Sequence, residues 1–81
     1  MNLDKVWIKF YVGGREYAVR RWHQVPRVGD EIMLRDPANP AACDKYGKRA
    51  FSVKRIVWGV ESEQEERDGW QAANVEIERK P

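Results

Sequence analysis

Reactive side chains are scarce in this chain, which has one cysteine, Cys43, and one histidine, His23. A single cysteine cannot close an intramolecular disulfide, so the fold is no cystine scaffold. One cysteine, one histidine and scattered carboxylates such as Asp36 and Asp44 do not make a zinc ligand set, and no calcium loop is written in the sequence. His23 falls at a strand end and Cys43 in a polar connection, with nothing in the spacing to join them as a nucleophile and base. Asp30 and Glu31 are neighbours on a strand and point to opposite faces, a poor arrangement for paired acid–base work. Gly13-Gly14 is followed by neither a phosphate-loop lysine nor a helix. No residue is therefore assigned a catalytic, metal-binding or cofactor-binding role, and the expectation is a protein that is not an enzyme.

Long apolar runs are missing too. No stretch approaches the roughly 18 residues of a membrane span, and Met1-Asn2-Leu3-Asp4 does not open a signal peptide. With one cysteine, that sets the expectation of a reduced, cytoplasmic domain without membrane contact. What is plentiful is aromatic and charged. Four tryptophans, three tyrosines and two phenylalanines in 81 residues are too many for a disordered chain, and the length suits one small domain spanning 1–81. The net charge of +2 hides an asymmetry. Residues 1–60 hold twelve Lys/Arg against six Asp/Glu, a formal +6, whereas residues 61–81 hold three against seven, a formal −4. A basic body with an acidic segment argues against indiscriminate polyanion binding and leaves room for a local patch.

Period-two alternation dominates the pattern. In Val6–Val12 the residues Val6, Ile8, Phe10 and Val12 share one face, and Gly13-Gly14 then supplies a two-residue turn whose central positions need positive φ. Pairing Val12 with Arg15 sets Phe10 opposite Tyr17, Ile8 opposite Val19 and Val6 opposite Arg21, which gathers the apolar residues on one side. A turn at Val25–Asp30 feeds a third strand, Glu31–Arg35, with Ile32 and Leu34 inward. In the polar connection 36–49, Asn39-Pro40 has the form of an N-cap and first-turn proline, Ala41–Tyr46 suits one or two helical turns, and Gly47 suits a C-cap. The fourth strand, Phe51–Val60, changes phase at Lys54-Arg55, the mark of a β-bulge. Residues 61–69 read as an acidic hairpin loop, and Ala73, Val75 and Ile77 define a fifth strand. The expected core adds Phe51, Val53, Ile56 and Trp58 to these inward residues. The expected fold is all-β: five antiparallel strands in a small barrel.

The runs Pro26-Arg27-Val28-Gly29-Asp30-Glu31-Ile32, Phe51-Ser52-Val53-Lys54-Arg55-Ile56-Val57-Trp58 and Val75-Glu76-Ile77 resemble the pattern of short, uncharacterised bacterial and phage-associated proteins that are similar to SH3-like barrels. The resemblance covers about two-thirds of the chain and implies an SH3-like barrel; its motifs are turn and core residues, so it transfers no binding residue. A helix between strands three and four is instead a feature of OB-folds, which keeps an OB-like barrel as the alternative.

The remaining constellation is the second face of the first hairpin. With Val6, Ile8, Phe10 and Val12 inward, the expected outer face shows Trp7, Lys9, Tyr11, Glu16, Ala18, Arg20 and Trp22, with Trp7 across from Arg20 and Lys5 across from Trp22. Tryptophan, tyrosine and arginine are the residues enriched in interface hot spots. Aromatics interleaved with cations also form the platforms on which single-stranded nucleic acids stack. Lys54 and Arg55 join this face if the bulge brings them near Arg20-Arg21. Cross-strand Trp–Arg stacking also stabilises a hairpin with no ligand at all. The expected function is a module, monomer or homodimer, that binds a protein or peptide partner, or a second copy of itself, through Trp7, Lys9, Tyr11, Arg20, Trp22, Lys54 and Arg55. Single-stranded nucleic-acid binding by the same face is the alternative.

Overall fold

The computed structural model describes residues 5–59 and 62–81. Five strands form one mixed sheet curled into a half-barrel: β1 (Val6–Val12), β2 (Arg15–Arg20), β3 (Glu31–Arg35), β4 (Lys48–Gly59) and β5 (Gln71–Arg79). The order is β2-β1-β5-β4-β3, so β2 and β3 are the two edges. One expectation fails here: β1 and β5 run parallel, and the sheet is not purely antiparallel. Alternation reports which face a residue takes and is blind to strand direction, which is why the pattern could not reveal this.

The first hairpin turns as expected, with Gly13 and Gly14 at φ +60° and +81° and Val12 opposite Arg15. Its register then departs from the expected one. Tyr11 faces Glu16, but Phe10 faces Ala18, leaving Tyr17 as an extra residue. Such a bulge reverses the phase of everything beyond it. Lys9 therefore pairs with Val19 and Ile8 with Arg20, where the unbulged pairing sets Ile8 opposite Val19. Val19, expected in the core, is 37% exposed. The bulge in β4 lies where the sequence predicts it, between Val53 and Arg55.

The core is built by Val6, Ile8, Phe10, Leu34, Phe51, Val53, Ala73, Val75 and Ile77, with Val12, Tyr17, Ala18, Trp22, Val25, Ile32 and Ile56 packed against it. Trp58 pairs with Ala73 yet stands exposed at the rim. In the 36–49 connection only a single 3₁₀ turn forms, Pro40–Ala42, and Asn39 makes no side-chain cap. The Asn39 amide donates instead to Asp36, and Gly47, at φ +76°, closes the turn that leads into β4. β4 begins three residues earlier than expected, at Lys48, and its expected last residue, Val60, lies outside the described residues, as do Met1–Asp4 and Glu61.

The acidic segment is not a loop throughout. A short helix, α1 (Glu63–Arg67), starts at Ser62, whose Oγ accepts from the Glu65 N–H at 3.2 Å. It ends with Gly69 at φ +82°, where the Gly69 N–H donates to Glu66 and the Trp70 N–H to Glu65, the paired bonds of a Schellman ending. That ending aims Trp70 at the sheet.

Candidate functional site

Strand register places three lateral rows on the outer face. One row runs Val57–Asn74–Lys9–Val19 across β4, β5, β1 and β2, and the next runs Arg55–Glu76–Tyr11–Glu16. Towards the α1 end, Gly59, Ala72 and Trp7 form a further row, and Trp70 precedes Ala72 at the same parity. Trp7 and Trp70 stack with centroids 5.1 Å apart and planes 16° from parallel. The Arg21 guanidinium lies over both indoles, 5.4 Å from Trp7 and 5.1 Å from Trp70. Ala72 is buried, consistent with the indoles lying over that part of the sheet. Lys5 Nζ donates to the Asp68 carbonyl at 2.6 Å and ties β1 to the end of α1.

Trp7, Lys9 and Tyr11 of β1 and Arg55 of β4, four of the expected site residues, are on this face. Trp7 is in the stack, Lys9 Nζ sits 3.9 Å from Glu16, and the Tyr11 hydroxyl donates to Asn74 at 3.3 Å. Arg20 and Trp22 are not there, because the bulge at Tyr17 sends them to the other side. Arg20 shares a cleft with Tyr17, Leu34 and Asp36, and Trp22 packs its ring 5.3 Å from Phe10. The residue over Trp7 is accordingly Arg21, where the unbulged register predicts Arg20. Lys54 and Arg55 do not join Arg20-Arg21 in one basic patch, since β5 and β1 stand between β4 and β2. Lys54 is 3.8 Å from Glu78, and Arg55 sits opposite Glu76.

Trp70 escaped the sequence reading although a signal for it existed. Ser62-Glu63-Gln64-Glu65 is a capping box and Gly69 a helix-ending glycine, and with Ala73 inward, Trp70 carries the outward parity.

A second polar constellation closes one end of the half-barrel. Asp36 is fully buried. Its carboxylate accepts from Arg79 Nε at 3.0 Å and Nη2 at 3.4 Å, Arg49 Nη1 at 3.3 Å, the Asn39 amide at 3.1 Å and the Tyr17 hydroxyl at 3.2 Å. The Arg79 hydrogen bonds, reinforced by those of Asn39, Tyr17 and Arg49 against the cost of burial, hold the Asp36 pKa down at about 2. Burial and the adjacent carboxylate push the Tyr17 phenol up. Arg79 also lies over the rings of Tyr17 and Phe51, at 5.5 and 6.0 Å. Among the described residues no buried side-chain nitrogen or oxygen lacks a hydrogen-bond partner, so the cluster is a structural tie among β2, the 36–49 connection, β4 and the end of β5. Cys43 and His23 are apart from each other: the Cys43 thiol donates to the Asp36 and Asn39 carbonyls at the rim of this cluster, and His23 borders a shallow cleft beside Trp22, Pro26 and Ile32. Among the described residues no group of three or more His, Cys, Asp or Glu is placed to hold a metal ion, and no helix is long and apolar enough to cross a membrane.

No family model, no curated protein and no solved structure matches this chain.

Proposed function

We propose that this chain is a non-catalytic interaction module that binds a protein or peptide partner, or a second copy of itself, through the outer face of β1, β2 and β5. In this reading it acts in the cytoplasm, in the manner of the SH3-like modules its turns resemble. The observation that carries the proposal is the Arg21 guanidinium over the stacked Trp7 and Trp70, with Tyr11, the exposed Val19 and Val57, and Lys9 beside it. Tryptophan, tyrosine and arginine dominate the energetics of protein interfaces because they bury large areas with little loss of rotamer freedom. The face mixes both signs of charge, with Glu16 by Lys9 and Glu76 opposite Arg55, and each indole already spends one ring face on the other. Both features favour a protein over single-stranded nucleic acid, which requires open ring faces and a continuous cationic track.

The test compares the wild-type chain with Trp70→Ala and Arg21→Ala in affinity capture and in light scattering after size exclusion. The expected result is loss of retained partners, or of the dimer, in variants whose urea midpoint stays near that of the wild type. Undiminished capture by both variants refutes the reading. Saturable binding of a single-stranded oligonucleotide at ~50 mM salt, weakening steeply at ~200 mM, would replace it with the nucleic-acid alternative.

A further inference from the structure

The half-barrel leaves a seam between its two edge strands, β2 and β3, which share no ladder among the described residues. At one end a side chain bridges them, the Tyr17 hydroxyl donating to the Arg35 carbonyl. The free edge of β3 can be assigned residue by residue. The Asp30 carbonyl accepts from Val53 and the Asp36 N–H donates to Gly47, so both face β4. In an antiparallel ladder alternate residues share one side, so Ile32 and Leu34 also bond to β4 and Glu31, Met33 and Arg35 aim their backbone groups at the seam. The Tyr17 contact to the Arg35 carbonyl agrees with this. Met33 is 46% exposed at the middle of that edge.

Beside the edge lies a cleft of about 310 Å³ bordered by Tyr17, Ala18, Arg20, Leu34, Arg35 and Arg79. Arg20 borders this cleft, and Arg79 and Arg49 already share its one carboxylate, Asp36, with Asn39 and Tyr17, whereas the Arg35 guanidinium lies beside Gly47 on the β4 side. The cleft carries excess positive charge. The geometry points to an acidic peptide in extended form as the occupant of the seam: its backbone pairs with Glu31, Met33 and the N–H of Arg35, whose carbonyl Tyr17 holds, and an alternate side chain carries a carboxylate to Arg20. Strand addition supplies affinity through main-chain bonds and selectivity through alternate side chains. The guanidinium fork is the cation best matched to a carboxylate. This surface is separate from the Trp7–Trp70–Arg21 face, and either can fail without the other.

The experiment uses the full chain, isotope-labelled, titrated with the blocked hexapeptide Thr-Glu-Val-Glu-Thr-Glu and followed by amide NMR shifts. Saturable shifts centred on Met33, Arg35 and Arg20 are expected, weakened by added salt. The Arg20→Glu variant is expected to lose at least tenfold in affinity. Met33→Pro removes one edge N–H without touching the β3–β4 ladder, so it should fold and also lose at least tenfold. Four results overturn the inference: absence of saturable shifts, equal binding of the lysine counterpart of the peptide, undiminished binding by a folded Met33→Pro, or shifts confined to Trp7, Arg21 and Trp70. A concentration-dependent dimer whose contact maps to β3 would give the seam to a second copy and likewise overturn it.

Discussion

Replacing Asp36 by asparagine keeps the shape of the side chain and removes its charge, which exposes what the buried carboxylate does. Arg49 and Arg79, with side chains 12% and 34% exposed, would lose their shared anion. The new amide would direct an N–H₂ group at guanidinium donors that accept nothing. Breaking a fully buried pair by removing one partner costs ~3–5 kcal/mol, and partial access of Arg79 to water reduces that to about 2–4 kcal/mol. Against the ~5–10 kcal/mol expected of a small domain, this is a large fraction. At roughly 4–8 °C per kcal/mol, the melting temperature should fall by at least ~8 °C. Urea unfolding at pH 7, followed by tryptophan fluorescence and far-UV circular dichroism, measures the loss. A change within ~0.5 kcal/mol would refute the claim that Asp36 ties the connection to β5.

The remaining predictions concern pH, the bulge and the turn. The folded-state pKa of Asp36 lies below the ordinary 3.8, at about 2, so its stabilisation is complete above pH 3.8 and is lost as pH falls towards 2. The wild-type urea midpoint should drop over that interval, and the part due to this group should be missing in Asp36→Asn. Trp22→Ala removes a ring packed on Phe10 and should cost ~2–4 kcal/mol, whereas Val19→Thr, on the outer face, should stay within ~0.5 kcal/mol. Thermal melts of the two variants decide between the bulged and unbulged registers, since the unbulged one makes Val19 the core residue. Gly14→Val, at φ +81°, should cost ~1–2 kcal/mol, read as a lowered urea midpoint.

Much of the architecture was legible because it rests on local chemistry. The boundaries of β1 and β3 follow from alternation closed by turn residues, and the β4 bulge announces itself as a broken period at Lys54-Arg55. The β2 bulge left no such trace. Tyr17, Ala18 and Val19 are all acceptable inward residues, so the sequence satisfies either register, and tertiary packing decides. Tyr17 reaches Asp36 and Phe51, and Trp22 reaches Phe10. One shifted residue then exchanged Arg20 and Trp22 for Val19 and Arg21 on the outer face, so two of the expected residues lie on the opposite side of the sheet. Asp36 was invisible for a different reason. Its partners come from Tyr17, Asn39, Arg49 and Arg79, up to 43 positions away, and no spacing rule links residues joined only by barrel curvature.

The bulge at Tyr17 assembles Arg21, Trp7 and Trp70 into one outer surface. Proton NMR of the side chains tests it most directly. Arg21 methylene resonances shifted upfield by the two indole rings are expected, with nuclear Overhauser contacts from Arg21 to Trp7 and Trp70 and from Trp22 to Phe10. Upfield-shifted Arg20 methylenes with contacts to Trp7, and Trp22 on the same face, would contradict it.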